Sequence, residues 1–539
     1  MQIDPIQLKN QSQLLADYRK NNRDIMDFFD YLPYGDYGER VNELDDRSFD
    51  RERLTDLLHT INKEWGASAS TLRNIDRLKE DNSVVVIGGQ QAGLMTGPMY
   101  TINKVISIIQ FARQQEEKLG IPVVPVFWIA GEDHDFDEIN HIYLPETPQM
   151  RKYKLPHKMV DKRSVSDIPI SRDALSGWVE NLFGQLHETM YTKELYESVN
   201  KDIEASRTYT DFFARMITRL FSEDGIVLID SGDKKVRQLE SNYFQLIIKN
   251  QPGISEGVYA SLQKLNEKGY TVSLEAGKDD GHLFYHRNGE RILLVREATG
   301  DWVGKQNEIR LTTDELMAEA EKRPELFSNN VVTRPLMQEL LFPTLAFIGG
   351  PGEVGYWAAL KPAFRAMDLK MPPVVPRLSF TIMERTVAKA LEKYEIEPIA
   401  AINEGVQEQK EKWIQSKSNP QINELTEEIK MVIEKAHQPL RDLAKNIQSD
   451  LGALSDKNLS YLYKDIDFLK KRLIKALEEK YAKELYEFDL IDNALHPHGG
   501  LQERVWNPFY WMNENGIDFI KKLSSESCSF ENGHYVIYL

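Results

Sequence analysis

Four short apolar runs, each ending in a glycine-rich or acidic turn, constrain the fold of this sequence more than any other feature. The runs occupy residues 84–87, 123–129, 226–229 and 345–348. A segment that can form a helix follows each turn. Uninterrupted apolar strands that alternate with helices are typical of a parallel sheet covered on both faces. We therefore predict an α/β protein with a Rossmann-like, doubly wound parallel-sheet core.

The pattern of apolar and charged residues outside these runs predicts the other structural regions of the chain. From Pro5 onward, apolar residues spaced among charged ones indicate that the N-terminal segment is helical. Further along, two intervals interrupt the alternation of strands and helices. In the second interval, residues 282–286 and 291–295 flank Asn288-Gly289, which is a typical hairpin turn. The predicted regions are an N-terminal helical segment packed on the core at 1–80, the core at 81–390 with insertions near 145–220 and 255–335, a helical coiled-coil domain at 391–487, and a segment that returns to the core at 488–539.

Charged residues with apolar positions at steps of three and four predict an antiparallel coiled coil. The break at residues 452–456 is expected to separate its two helices, and Pro439 is expected to kink or restart the first one. An exposed apolar seam is costly, so we expect the chain to form a homodimer through this region. The seam positions are Leu425, Ile429, Val432, Ala436, Leu440, Leu443 and Ile447, followed by Leu462, Ile466, Leu469, Leu473 and Ala476.

Composition excludes several classes of protein. A length of 539 residues suits roughly two to four domains. A net charge of −17 argues against general nucleic-acid binding, which requires a surplus of Lys and Arg. No run approaches the roughly 18 apolar residues of a membrane span. Cys528 is the only cysteine, which excludes an internal disulfide and a Cys-x-x-Cys zinc site. We therefore expect a cytoplasmic protein that acts on small molecules and not on membranes.

The first turn, Gly88-Gly89-Gln90-Gln91-Ala92-Gly93, leads through Thr96-Gly97-Pro98 into a helix. Backbone N–H groups at a helix start favour negative charge, and glycines let the backbone approach a ligand. Lys104 is expected to lie too far along the helix to reach this turn. A tight turn without a ligand is the alternative interpretation. The predicted substrate-binding residues are Gly89, Gln90, Gln91, Thr96 and Gly97.

The second turn, Gly131-Glu132-Asp133-His134-Asp135, places carboxylates and an imidazole directly after a strand. These groups serve general acid–base catalysis, so Asp133 and His134 are predicted to be catalytic and Asp135 to bind substrate. A helix over residues 136–142 would align His134, Glu138 and His141 on one face suited to a divalent ion. The alternative is a helix start stabilised by acidic residues, and no metal ligand is assigned.

The third turn, Gly349-Gly350-Pro351-Gly352-Glu353, repeats the design of the first. Glu353 is predicted to be catalytic by holding an amine, with Gly350 and Tyr356 binding substrate. Glu353 would otherwise only complement the helix dipole. Arginine forks and aromatic faces suit a nucleotide, although a surface ion-pair network is equally compatible with them. The candidate nucleotide-binding residues are Arg377, Arg385, Gln502, Arg504 and Trp506.

These three turns together resemble the BshC family, the cysteine-adding enzymes of bacillithiol biosynthesis, and the resemblance covers essentially the whole chain. It implies a ligase that joins the cysteine carboxyl to the glucosamine amine of glucosaminyl malate. It also implies a core similar to class I aminoacyl-tRNA synthetases and a coiled coil that dimerises. The His-x-Gly-His and Lys-Met-Ser-Lys-Ser elements with which those synthetases bind ATP do not occur here.

Amide formation from a free carboxylate requires activation, and we expect ATP to supply it, with ADP as a possible product. In the resulting hypothesis the first turn binds carboxylate or phosphate oxygens, Asp133 or Glu353 orients the amine, and His134 assists removal of its proton. Two other functions fit the same turns. One is a nucleotidyl- or phosphoryl-transferase of this fold, and the other is a non-catalytic scaffold that senses a small ligand.

Overall fold

The computed structural model describes residues 2–9, 11–156 and 163–539. The strands within these residues are β1 Gln2–Ile6, β2 Val84–Gln90, β3 Val123–Ile129, β4 His141–Leu144, β5 Arg151–Lys154, β6 Val227–Asp230, β7 Asp280–Arg287, β8 Glu290–Arg296, β9 Trp302–Gly304, β10 Arg310–Leu311, β11 Phe327–Asn329, β12 Thr344–Gly349, β13 Val374–Pro376, β14 Phe380–Met383 and β15 His534–Tyr538.

Helices make up most of the remaining structure. Up to the third glycine turn they are α1 Gln13–Arg19, α2 Arg23–Met26, α3 Gly38–Asp45, α4 Arg51–Glu64, α5 Ala69–Arg77, α6 Met99–Leu119, α7 Phe136–Ile139, α8 Arg172–Phe183, α9 Thr192–Ala205, α10 Tyr209–Leu220, α11 Lys234–Glu267, α12 Thr313–Lys322 and α13 Thr333–Leu341. After it they are α14 Pro351–Trp357, α15 Lys361–Ala366, α16 Arg385–Lys393, α17 Pro398–Glu404, α18 Gln407–Gln415, α19 Ile422–Ile447, α20 Ser449–Lys480, α21 Ala482–Leu495, α22 Pro508–Asn515 and α23 Phe519–Ser525. In the part of the chain that is described, none of these helices combines the length and the apolar character needed to cross a membrane.

The core is a parallel sheet with the strand order β13-β12-β2-β3-β6. The chain starts in the middle at β2, moves outward through β3 to β6, and then returns to add β12 and β13 on the other side of β2. This reversal is the switch point of a doubly wound sheet, where ligands bind beyond the carboxyl ends of the strands. The predicted α/β, Rossmann-like core is confirmed, and the first and third glycine turns flank its switch point.

The glycines at the end of β2 are required by the packing of the sheet. A Cβ atom on Gly88 would lie 2.8 Å from the carbonyl oxygen of Ile348 in β12. A Cβ atom on Gly89 would lie 2.6 Å from the carbonyl oxygen of Trp128 in β3. Both contacts are to backbone atoms, which cannot rotate away. Close approach of the flanking strands therefore explains these two glycines without reference to a ligand.

The two predicted insertion intervals contain elements that lie outside the core sheet. The interval 145–220 includes β5 and α8 to α10, and its residues 157–162 lie outside the described part of the chain. The interval 255–335 includes an antiparallel sheet with the order β10-β9-β8-β7-β11. The hairpin of β7 and β8 is confirmed, with Asn288 and Gly289 at φ angles of 54° and 80°. Positive φ at both positions is the geometry of a type I′ turn.

The first and last strands of the chain lie side by side. β1 pairs antiparallel with β15, which in turn pairs parallel with β14. The prediction that the sequence is helical from Pro5 is therefore wrong at Pro5 and Ile6, which belong to β1. The strand forms by pairing with β15, near residue 534, which is more than 500 residues away in the sequence. Local spacing carries no information about such a partner.

Helices α19 and α20 form an antiparallel hairpin. Cross-helix contacts join Lys430 to Asp467 at 2.7 Å and the Tyr463 hydroxyl to Glu434 at 3.0 Å. The turn lies at Gln448, which is extended with φ −162° and ψ 140°, so the predicted break at residues 452–456 is wrong. Gly452 instead lies inside α20, where a Cβ atom would meet Lys445 at 2.7 Å. It allows close approach of the two helices. The predicted restart at Pro439 is also wrong, because α19 continues through it.

The predicted apolar seam lies mostly on the outside of this hairpin. Leu440 is 59% exposed, Leu443 is 56% exposed and Ile447 is 65% exposed. Thr426 and Leu459, which are not among the predicted seam positions, are buried. The hairpin therefore has an inner face that joins its two arms and a separate leucine-rich outer face.

Replacement of Gly88 by alanine tests the packing at the end of β2. We expect Gly88→Ala to lower the thermal unfolding midpoint, because the new methyl group forces strands apart at a cost of about 1–3 kcal/mol. The matched control is Gly177→Ala in the interior of α8, where no atom lies within 4 Å of the new methyl group. Alanine favours a helix over glycine, so this variant should melt at or above the wild-type temperature. Equal midpoints for the two variants would contradict the packing argument.

Candidate active site

A cavity of about 350 Å³ opens at the switch point of the core sheet. All three predicted turns contribute to it, so residues that are far apart in the sequence meet at one sheet edge. The residues that line it are Gly89, Gln90, Gln91, Tyr100, Lys104, Ala130, Asp133, Ser273, Arg334, Gly350, Pro351, Gly352, Glu353, Tyr356, Arg377 and Arg504.

Lys104 spans the floor of this cavity. Its ammonium group donates to the Gly89 carbonyl oxygen at 2.6 Å and to Gln90 Oε1 at 3.2 Å, and it forms an ion pair with Glu353. The side chain is only 1% exposed. Burial lowers the pKa of Lys104, while the carboxylate of Glu353 acts in the opposite direction. The expectation that Lys104 lies too far along α6 is wrong, because its side chain extends back toward the start of the helix.

Glu353 is held from two sides. Its Oε2 atom accepts a hydrogen bond from the Gly350 N–H at 2.7 Å, which closes a capping box at the start of α14. The same oxygen faces Lys104, and the side chain is 20% exposed. Both of the alternatives raised by the sequence therefore have a physical basis at this residue: Glu353 stabilises a helix start, and it lines the cavity.

Asp133 presents the more accessible carboxylate, with a side chain that is 34% exposed. Its Oδ2 atom accepts from Gln91 Nε2 at 2.6 Å, and its Oδ1 atom accepts from the His134 N–H at 2.7 Å. Burial raises the pKa of Asp133, but these hydrogen bonds and the charge of Arg291 outweigh burial, so the net direction is downward. Asp133 is therefore ionised at neutral pH and can face a cationic amine.

The neighbouring Glu132 points away from the cavity into the protein. Its carboxylate accepts from Arg237 Nη2 at 3.1 Å and from the Asn329 N–H at 3.0 Å. Gly131, directly before these two acids, is tightly packed: a Cβ atom there would lie 2.0 Å from Ser166 Oγ and 2.2 Å from Asp230 Oδ1. Asp230 is buried, and burial raises its pKa to about 7. Of the two neighbouring acids, Glu132 therefore lies inside the protein and Asp133 lines the cavity.

The arginines around the cavity differ in their partners. Arg377 forms two hydrogen bonds with Glu503, at 2.8 and 2.6 Å, and Arg334 donates to the Tyr356 hydroxyl at 2.6 Å. Arg504 is exposed, and its guanidinium has no hydrogen bond or ion pair to any residue that the structure describes. Arg504 is therefore the cation that is most available to an anionic ligand.

The start of α6 is covered by the C-terminal segment. The Met99 N–H, the first in the helix, donates to the Trp506 carbonyl oxygen at 2.8 Å, and Asn507 Nδ2 donates to the carbonyl oxygens of Met95 and Gly97 at 2.9 Å each. The prediction that N–H groups at this helix start point at a ligand is therefore corrected for Met99. Thr96 is buried beneath this cover, and Gly97 lines a small adjoining cavity instead.

Several candidate residues lie outside the main cavity. Asp135 is exposed at the start of α7, and Arg385 is exposed, with its Nε atom donating to the Leu539 carbonyl oxygen at 3.2 Å. Gln502 and Trp506 are buried, and their side chains donate to backbone carbonyls of Ala494 and Asn493. Of the five candidate nucleotide-binding residues, the structure brings only Arg377 and Arg504 to the cavity.

A metal site of the proposed kind is not formed. α7 ends at Ile139 and His141 begins β4, so a helix over residues 136–142, the premise for aligning His134, Glu138 and His141, is wrong. Within the ranges 2–9, 11–156 and 163–539, no group of three or more His, Cys, Asp or Glu side chains is arranged to hold a metal ion. Glu138 instead accepts from Gln91 Nε2 at 3.1 Å.

The sequence contained one signal for a residue that the prediction missed. Lys104 is the only charged residue between positions 99 and 112, in a helix whose other residues there are apolar or uncharged. A lone charge on a buried helix face requires a partner. Here the partner is Glu353, in the third glycine turn. Tyr100, Arg291 and Arg334 carry no comparable signal, because only the folding of the chain brings them to the site.

Comparison with known proteins gives the family. The model of the N-terminal Rossmann-like domain of the bacillithiol biosynthesis protein BshC matches residues 1–378, and the model of its C-terminal coiled-coil domain matches residues 380–539. The chain belongs to the BshC family. Similar proteins include those of Oceanobacillus iheyensis, at 44% identity, and Geobacillus thermodenitrificans, at 40% identity, with 100% of both chains covered in each case. A third, from Bacillus licheniformis, is 38% identical over the same share of both chains. All three bear the name "Putative cysteine ligase BshC".

A double-mutant cycle tests the ion pair on the cavity floor of this BshC protein. Lys104→Met leaves the Glu353 carboxylate without its cation, and Glu353→Gln leaves a buried ammonium, so each should cost about 3 kcal/mol of stability. The double variant should lose less than the sum of these costs, with a coupling on the order of 1 kcal/mol or more. Denaturant unfolding measures all three values. Lys118→Met, at an exposed position of the same helix, is the control and should change little. Additive losses in the cycle would show that the two side chains do not interact.

Proposed function

We propose that this chain is a ligase that joins the carboxyl group of cysteine to the glucosamine amine of glucosaminyl malate and so forms bacillithiol. The observation that carries the proposal is the cavity at the switch point, which combines an ionised Asp133 with the available cation Arg504. The names of the full-length relatives support the same reaction class. An amine and an acidic substrate require this combination of charges.

The reaction requires an activated carboxyl group, because a free carboxylate does not acylate an amine at a useful rate. We propose that the carboxylate oxygen attacks ATP and displaces either ADP, to give an acyl phosphate, or pyrophosphate, to give an acyl adenylate. The amine nitrogen then forms the C–N bond, the C–O bond to the leaving group breaks with its electron pair, and the amine gives up a proton. Arg504 is the cation best suited to contact an anionic group of the substrates, either the phosphate oxygens or the malate carboxylates, since Lys104 and Arg377 already have carboxylate partners.

The proposed roles follow from charge and access. Asp133 binds the ammonium form of the amine, which loses one proton to solvent to become the nucleophile, and Asp133 takes the second proton as the amide forms. Gln91 orients Asp133 through the hydrogen bond of 2.6 Å. Lys104 and Glu353 compensate each other and fix the width of the cavity. His134 is adjacent to Asp133 but does not line the cavity.

The reaction can be tested in a bacillithiol-producing host whose own copy of the gene is deleted. Thiol extracts analysed by mass spectrometry should contain bacillithiol when this chain is supplied. Asp133→Asn should reduce its formation at least about 100-fold, within the range typical of a lost acid–base group. Asp135→Asn is the matched control, because Asp135 is exposed outside the cavity, and it should retain wild-type formation.

An assay of nucleotide release by the purified protein distinguishes this ligase from other enzymes of the fold. With ATP, cysteine and glucosaminyl malate, we expect AMP or ADP release that depends on both other substrates. Nucleotide turnover without the amino-sugar acceptor would favour a nucleotidyl- or phosphoryl-transferase. Ligand binding without any product, in the host as well as in the purified protein, would favour a sensing scaffold.

We further propose that the chain forms a homodimer through the outer face of the coiled-coil hairpin. The support is the exposed seam of Leu440, Leu443 and Ile447, which a second copy would cover. The same argument from composition supports a reducing, cytoplasmic location. The only cysteine, Cys528, is buried, and burial raises the pKa of its thiol to about 11.

Light scattering after size-exclusion chromatography tests the homodimer. The wild-type chain should elute at about twice its mass of 62.3 kDa, and a Leu440→Glu, Leu443→Glu variant should elute at 62.3 kDa because two charges cannot be buried in an apolar interface. Gln438→Glu adds charge on a different face of the same helix and should remain dimeric. A monomeric wild type, or a dimeric double variant, would contradict the proposed interface.

A further inference from the structure

The inserted antiparallel sheet reaches the candidate site through Arg291. This residue lies on β8, and its side chain is only 6% exposed. The guanidinium stacks over the ring of Phe284 on the neighbouring strand, 3.7 Å from the ring centre. Its Nε atom donates to Ser328 Oγ at 3.0 Å, and its Nη2 atom donates to the Asn329 carbonyl oxygen at 2.7 Å. The insertion therefore holds this cation in a fixed position.

The remaining nitrogen of the fork faces the second turn of the core. Arg291 Nη1 lies 3.4 Å from His134 Nδ1 and 3.8 Å from Asp133 Oδ1. A guanidinium has only donors and does not lose its proton in proteins, so in this contact His134 Nδ1 is the acceptor. A neutral imidazole that accepts at Nδ1 carries its hydrogen on Nε2.

We propose that Arg291 is a positioning residue that holds His134 in the Nε2–H tautomer, so that Nδ1 of His134 is not available as a base and Asp133 takes the proton of the amine. This inference rests on the proposed ligase function and assigns its general base. It replaces the hypothesis drawn from the sequence, in which His134 removes that proton. The basic nitrogen of His134 is occupied by Arg291, while the carboxylate of Asp133 lines the cavity.

The surroundings of the contact fit this assignment. His286, on β7, shares Ser328 with Arg291, with its Nε2 atom 2.9 Å from Ser328 Oγ. Burial lowers the pKa of His286 to about 3, so its ring is neutral, and the Ser328 hydroxyl, which accepts from Arg291 Nε, has its own hydrogen to donate to His286 Nε2. Asp133 also faces His134 Nδ1, at 3.6 Å. Asp133 is thus the acceptor toward which the imidazole hydrogen would move if Arg291 were absent.

The tautomer can be measured without any enzymatic activity. In protein labelled with [¹³C]histidine, the ring carbon shifts of His134, assigned by comparison with His134→Gln, should report the Nε2–H form. Arg291→Met should shift the population toward the Nδ1–H form, since Asp133 then becomes the partner of Nδ1. Arg287→Met is the control, because Arg287 is exposed at the end of β7, and its spectrum should match the wild type. A wild-type His134 in the Nδ1–H form would overturn the proposal.

Bacillithiol formation in the complemented host tests the consequence for catalysis. His134→Ala removes the ring beside the Asp133 carboxylate and should reduce formation at least tenfold, and His134→Gln should restore most of it, because glutamine keeps a polar side chain beside Asp133 but cannot act as a base. If His134→Gln is as impaired as His134→Ala, then the ring is required as a base and the proposal is wrong. Absence of bacillithiol with the wild-type chain would instead refute the ligase function and leave the tautomer measurement unaffected.

Discussion

The buried ion pair of Lys104 and Glu353 is the interaction on which the candidate site depends. It connects α6, which follows β2, to α14, which follows β12, across the switch point of the sheet. An isolated ammonium in this position would be too costly to bury. The Gly89 carbonyl, the Gln90 amide and the Glu353 carboxylate together offset that cost. The two strands pair directly with each other, and the cavity lies beyond their ends, where this contact joins the helices that follow them.

Pairing of the other buried charges determines which groups remain available to a ligand. Glu503 neutralises Arg377, and the Tyr356 hydroxyl accepts from Arg334. Asp133 and Arg504 are left as the accessible anion and cation of the cavity. The overall net charge of −17 therefore says little about the site, whose local charges are set by which side chains already have partners.

The sequence predicted those features that depend on local pattern. Buried strands, the turns that follow them and the Asn288-Gly289 hairpin have periods or turn residues that can be recognised without a structure. The candidate Asp133 was found in the same way, because a carboxylate after a parallel strand lies at the binding edge of the sheet. The outer seam of the coiled coil was also recognised, although its turn was placed at residues 452–456. The structure has the turn at Gln448. Gly452, which was predicted as part of the turn, lies inside α20 and allows close packing of the two helices.

The features that the sequence did not predict depend on contacts between distant segments. Lys104 was judged by its distance along α6 and not by the reach of its side chain toward Glu353, 249 residues later. Arg291 belongs to an insertion with its own sheet, and only the docking of that sheet brings it to His134. The cover of Trp506 and Asn507 over the start of α6 has the same origin.

A crystal structure of the chain with bound glucosaminyl malate would test the central claim most directly. We expect the ligand to lie between the Gly89–Gln91 turn and the start of α14, with its amine within hydrogen-bonding distance of Asp133 and an acidic group near Arg504. The Lys104 to Glu353 contact should persist in that complex. Binding of the ligand at another site, with the switch-point cavity holding only solvent, would contradict the account.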